Sequence, residues 1–237
     1  MLKAVLFDLD GTLLPLDQAY FTKTYFETLS ACMARHGYEP EALVKAVWAG
    51  TRAMMRNDGG DTNDAVFWKT FASLCGEKAL ADRPLFDAFY RNEFNGLRAV
   101  CGFNPQAAAL VQALKARGRG LILASSPLFP RIAQEARMRW AGLEPADFML
   151  VTPYENACFC KPNPAYYAEI LQKTGFAPEE CLMVGNDAVE DMAAEQAGIA
   201  VFLLTDCLYN PQGLDISPWP RGGFDELTAY IRSQGGL

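Results

Sequence analysis

At 237 residues, with a formal net charge of −7 and a pI of about 4.8, the chain suits one α/β core with an insertion, and its acidic field repels nucleic acid and anionic membrane surfaces. Apolar residues make up 51% and charged residues 21%, which excludes wholesale disorder, and no stretch approaches the ~20 apolar residues of a membrane span. Seven cysteines, odd in number and scattered over positions 32, 75, 101, 158, 160, 181 and 207, argue against a disulfide framework and predict reduced, packed thiols in a cytoplasmic protein.

The opening Met1-Leu2-Lys3-Ala4-Val5 is too short an apolar run for a signal peptide. Ala4–Leu9 reads as a buried strand. From about Leu16 to Arg98 no strand is visible, and Tyr20, Phe21, Tyr25, Phe26, Leu29 and Met33 recur at helical spacing. Helices inserted after the first strand follow, giving a cap at 16–97 and a core at 1–15 and 98–237, with hinges near Leu14-Pro15 and Asn95-Gly96. The polar stretch Asn57–Asp64 lacks the order of a calcium loop and reads as a helix–helix turn.

Beyond the insertion, strand and helix alternate. Pro105–Arg117 is a helix with Gly118 as its stop signal, Leu121–Ala124 and Phe148–Val151 are strands, and Pro164–Thr174 is a helix ended by Gly175. Cys181–Val184 and Ala200–Leu204 are strands flanking a helix at Glu190–Ala197. The alternation predicts an α/β fold, a doubly wound Rossmann-like parallel sheet with an inserted α-helical cap. The basic clusters Lys115-Ala116-Arg117 and Arg137-Met138-Arg139 read as solvated helix faces, and Cys158-Phe159-Cys160 is too sparse for zinc.

In such a sheet the ligand site lies beyond the carboxyl ends of the strands, so the polar residues after each apolar run carry the chemistry. Asp8 and Asp10, two apart, share one face; Gly11 permits a tight turn, and Thr12 can cap it. Asp187 and Asp191 follow the fourth strand, one helical turn apart. Singly, Asp187 also reads as a helix N-cap. Together the acids would repel one another unless a cation lay among them, and all-oxygen ligation selects a hard ion such as Mg²⁺. Ser125, with its neighbour Ser126, and Lys161 supply a hydroxyl, backbone N–H and ammonium for a phosphoryl group.

The order FDLDGTL (Phe7–Leu13), LILASS (Leu121–Ser126), KPNP (Lys161–Pro164) and VGNDAVEDMAAEQAG (Val184–Gly198) closely resembles the haloacid dehalogenase-like hydrolase superfamily. The resemblance implies a phosphatase of small-molecule phosphate esters, with Asp8 as nucleophile and Asp10 as general acid and base. Mg²⁺ would lie between Asp8, the Asp10 carbonyl and Asp187, with Asp191 behind it or bridged by water. Thr12, Ser125, Ser126 and Lys161 would bind the substrate. Asp10 favours phosphate chemistry, because a departing alkoxide needs a proton and a halide does not. A phosphomutase and a non-catalytic binding domain are the alternatives. In the cap, Arg52, Arg56, Trp48 and Lys69 are conceivable substrate contacts, while His36, the sole histidine, reads as a surface or packing residue.

Overall fold

The computed structural model describes residues 1–237. Its centre is a six-stranded sheet in the order β3-β2-β1-β4-β5-β6, parallel throughout. The strands are β1 (Ala4–Phe7), β2 (Gly120–Leu123), β3 (Leu150–Val151), β4 (Cys181–Gly185), β5 (Ala200–Leu204) and β6 (Arg221–Gly222). Two strands are shorter than their apolar runs predict, and β6 has no apolar run to announce it.

Alternation along the strands feeds two apolar layers. Val5, Phe7, Leu123 and Val184 join one core, and Ala4, Leu6, Ile122 and Met183 the other. Each large aliphatic or aromatic side chain so buried contributes roughly 1.5–3 kcal/mol. Because β1 is flanked by β2 and β4, the connections diverge on either side of it, and a cleft opens at its carboxyl end.

Between β1 and β2 run α1 (Gln18–Ala34), α2 (Pro40–Met55), α3 (Asn63–Cys75), α4 (Lys78–Ala81), α5 (Arg83–Arg91), a 3₁₀ segment (Glu93–Val100) and α6 (Pro105–Ala116). The segment 16–97 contains no strand of the sheet. Its two connections run side by side: Leu16 bridges Cys101 antiparallel, and the Gly102 N–H donates to the Pro15 carbonyl at 2.7 Å. Asn95-Gly96 lies inside the 3₁₀ segment.

Three helices complete the core: α7 (Arg131–Trp140), α8 (Pro164–Thr174) and α9 (Phe224–Ser233). The helix expected at Glu190–Ala197 is a 3₁₀ segment over Met192–Ala197. Its start is displaced because the side chains of Asp187 and Asp191 take backbone N–H groups in the preceding turn.

The turn after α2 does more than join helices. The N–H groups of Asn63 and Asp64 donate to the carbonyls of Ala157 and Tyr154, each at 2.9 Å, docking α3 on the loop that leads to Lys161. The seven cysteines are unpaired thiols; Cys160 faces the Asn63 amide and Cys158 is half-buried. His36 is exposed, its carbonyl receiving Lys78 Nζ. No helix is long and apolar enough to cross a membrane.

Candidate active site

The chain leaves β1 still paired: the Asp8 N–H donates to the Val184 carbonyl at 2.9 Å, and the Ala124 N–H donates to Phe7 at 2.7 Å. Asp8 therefore emerges at the point where the winding reverses. Gly11 has φ +84°, and a Cβ there would lie 2.3 Å from Asn186 Nδ2, so only glycine lets the two loops touch. Thr12 Oγ1 donates to Asn186 Oδ1 at 3.0 Å, while Asn186 Nδ2 reaches the Cys207 carbonyl at 2.7 Å. The buried hydroxyl of Thr12, a residue the resemblance places in substrate binding, gives its proton to the bond that closes the β1 loop onto the β4 loop.

Lys161, 1% exposed, places Nζ 2.9 Å from Asp8 Oδ1 and 2.5 Å from Asp191 Oδ1. Burial works against its charge, but Asp191 and Asp8 hold the ammonium protonated well above the usual lysine range. Asp191 Oδ2 accepts the Asp187 N–H at 2.9 Å. This approach depends on Gly185, where a Cβ would lie 2.0 Å from that oxygen.

The acids do not close into the expected four-carboxylate cluster. No three acidic, histidine or cysteine side chains stand near enough together to hold an ion. Lys161 takes the place between Asp8 and Asp191, and Asp187 Oδ1 accepts the N–H groups of Val189 and Glu190 at 2.7 and 2.9 Å. The N-cap character of Asp187 is thus realised alongside any other role. Burial pushes Asp191 up to about 7 against the pull of Lys161, and Glu190 up to about 8, with Asp187, Asp191 and Asp8 adding to it. Two carboxylates, Asp8 and Asp187, and the Asp10 carbonyl remain as oxygen donors of the kind a hard divalent cation takes.

Ser125 follows β2, its carbonyl gripped by the hydroxyls of Thr152 at 2.9 Å and Tyr166 at 3.0 Å. The same two hydroxyls are 2.8 Å apart, so two side chains that touch each other fix the loop's position. Ser126 Oγ is buried and has no partner in the chain. Both serines thus stand on a braced loop beyond β2, the strand that pairs with β1 ahead of Asp8.

Arg137 corrects the reading of its cluster as a solvated face. Arg139, Lys115 and Arg117 are exposed, but Arg137 is fully buried in α7, ion-paired with Asp10 Oδ2 and stacked 4.3 Å from the Phe129 ring centre. Its register was the available signal: it lies four residues after Ala133 and three before Trp140, both buried. Burial raises the Asp10 carboxyl above the ordinary range, with Arg137 opposing. Asp10 Oδ1 and Arg137 Nη2 have no partners.

Asp10 lies in the wall of a cavity of about 120 Å³ between the inserted helices and the loops after β1, β2 and β3. Trp48 borders it. Arg52, Arg56 and Lys69, the other residues of the inserted segment singled out from the sequence, are exposed and do not.

Comparison with known proteins agrees with this architecture. The family model of haloacid dehalogenase-like hydrolases matches residues 2–198. A phosphoglycolate phosphatase of Rhodospirillum rubrum is 31% identical over 216 residues, covering 86% of this chain and 80% of that protein. Among solved structures, a predicted phosphoglycolate phosphatase of Haemophilus somnus superposes with a TM-score of 0.59 at 19% identity, over 97% of this chain and 98% of the other. A 2-haloacid dehalogenase of Pseudomonas syringae gives 0.62 at 19% identity, over 99% and 100%. At such identities the structural matches speak for the fold.

Proposed function

Because the chain belongs to the haloacid dehalogenase-like hydrolases, we propose that it hydrolyses small-molecule phosphate monoesters through an aspartyl-phosphate on Asp8, with Mg²⁺ as cofactor. The observation that carries this reading is the pairing of Asp8 with the buried ammonium of Lys161 at the carboxyl end of the central strand. A carboxylate attacking a phosphate ester must approach an anion, and a fixed cation beside it lowers that barrier without reorganisation.

Asp8 forms the new bond to phosphorus while the ester oxygen departs with its electron pair. Ser125 and Ser126 offer hydroxyl donors to the equatorial oxygens, and Lys161 balances the charge that Asp8 shares with them. Asp10, its Oδ2 anchored by Arg137, directs Oδ1 towards the departing oxygen and supplies its proton. The carboxylate left on Asp10 then takes a proton from the water that attacks phosphorus, releasing phosphate and restoring Asp8. Asp8, the Asp10 carbonyl and Asp187 are the oxygens that would hold Mg²⁺, with Asp191 behind them, and the ion would supply charge neutralisation on the phosphoryl group.

The test is phosphate release from acetyl phosphate and p-nitrophenyl phosphate in Mg²⁺, by the native protein and by Asp8→Asn. Release that is lost in the variant while its circular dichroism is unchanged supports the reading. Undiminished release removes it.

A further inference from the structure

Thirteen of the seventeen residues around the 120 Å³ cavity are hydrophobic, most of them aromatic, and none is lysine, arginine or histidine. Phe21, Tyr25 and Phe26 of α1, Val47 and Trp48 of α2 and Phe67 of α3 form its walls, and Phe129 and Tyr154 close it from the sheet side. Of the three phenols in its lining, Tyr25 and Tyr90 are hydrogen-bonded to each other at 2.8 Å and Tyr154 accepts from Trp68 Nε1 at 3.3 Å; burial pushes Tyr25 up to about 12 and raises Tyr90 well above its ordinary value, so both are neutral.

A packing gap among cap helices would be lined by apolar groups alone. Here the wall includes the Asp10 carboxylate, turned by Arg137 so that one oxygen is bound and the other, Oδ1, is buried with no partner. A carboxylate in a mostly apolar wall is costly to leave without polar partners, and a ligand that enters the cavity meets it there. The ligand atom that meets the proposed acid is the ester's departing oxygen, and the rest of the leaving group then lies in the aromatic chamber.

Resting on the phosphatase reading above, we propose that the preferred substrate is the phosphate monoester of an uncharged, apolar alcohol about the size of one aromatic ring. Size supports the ring: an apolar cavity of roughly 150 Å³ accepts benzene, and this one is slightly smaller. Charge decides against an anionic leaving group such as glycolate. Its carboxylate would be desolvated beside Asp10 with no cation in the lining to balance it, because Arg52, Arg56 and Lys69 lie outside and Arg137, ion-paired with Asp10, does not line the cavity. The phosphoglycolate phosphatase relative of Rhodospirillum rubrum therefore shares the hydrolase frame without predicting this chain's substrate.

The experiment compares kcat/KM for benzyl phosphate, 2-phosphoglycolate and acetyl phosphate in Mg²⁺, with the native protein and with Thr22→Phe, which fills the chamber from α1. Benzyl phosphate should exceed 2-phosphoglycolate by at least about tenfold, the scale at which apolar pockets discriminate. In Thr22→Phe the ratio of benzyl phosphate to acetyl phosphate turnover should fall by a similar factor. Should that variant not fold, Val47→Phe fills the same space from α2. Equal or better turnover of 2-phosphoglycolate, or an unchanged ratio in the filled variant, overturns the inference while leaving the hydrolase reading intact. Failure to release phosphate from all three, acetyl phosphate included, removes the phosphatase reading and this inference with it.

Discussion

Arg137 grips Asp10 from 127 residues further along the chain, inside a helix whose sequence looks basic and solvated. The pair fixes one oxygen of the proposed acid, while the other is buried without a partner in the chain. Arg137→Met should lower kcat by about 10²–10⁴-fold, the scale of a displaced general acid, and cost about 3–5 kcal/mol of stability by leaving a buried carboxylate alone. The discriminating measurement is the same substitution in an Asp10→Asn background. There its further effect on kcat should nearly vanish, and an undiminished effect would separate Arg137 from Asp10.

Lys161 balances two acids at once, Asp8 at 2.9 Å and Asp191 at 2.5 Å. Lys161→Met should therefore destabilise the protein and suppress turnover together, by about 10²–10³-fold in kcat, the range seen for one lost electrostatic group at a reacting centre. Steady-state kinetics and thermal melts on the same preparation check this. A variant with unaltered kcat would show that the ammonium only fills space.

Removal of divalent metal should silence phosphate release, and Mg²⁺ should restore it. The reason is that Asp8, Asp187 and the Asp10 carbonyl are oxygen donors that a hard divalent cation would join to the phosphoryl group. Dialysis against EDTA followed by a Mg²⁺ titration reads this directly, and turnover indifferent to chelation would contradict it.

At the periphery, Asp147 accepts hydrogen bonds from Lys115 and Gln112, which hold its carboxyl below the usual range. A folded-state pKa below the unfolded one adds stability that is complete above the unfolded value near 3.9 and is lost as pH falls through the folded value. Lys115 is half exposed, so the coupling should be only about 0.2–1 kcal/mol. A double-mutant cycle with Lys115→Met and Asp147→Asn should show it at pH 7 and lose it near pH 2. Equal coupling at both values would argue against an ionic origin.

Cys160 is buried against Asn63, and burial pushes its thiol up to about 12. Iodoacetamide at pH 8 should leave it unlabelled in the folded protein and label it in denaturant, because the thiolate is the reactive form. Asn63→Ala, which removes a contact between α3 and this loop, should speed native labelling. Peptide mass spectrometry resolves the two cases.

The sheet was legible because its strands are continuous apolar runs buried on both faces, and the acids, serines and lysine that follow them were legible as strand-end polar residues. What escaped was tertiary. Arg137 carried only its helical register with Ala133 and Trp140, and nothing near it in sequence names Asp10 as its partner. Thr12 was recognised as a loop residue, but its bond to Asn186 depends on how two distant loops meet at Gly11. The periodicity of Phe21, Tyr25, Phe26 and Leu29 announced a buried helical face. That the face encloses a chamber is decided by the packing of helices far apart in sequence. Arg221-Gly222 has neither length nor hydrophobicity to mark it as a strand and joins the sheet only because β5 offers an open edge.

On the proposed mechanism, phosphorus passes through a covalent bond to Asp8. Rapid quenching of the protein during turnover of acetyl phosphate, followed by peptide mass spectrometry under acidic conditions, should find a phosphoryl group on Asp8 and none in Asp8→Asn. Phosphate released at full rate with Asp8 never modified, or with the label on another residue, would contradict it.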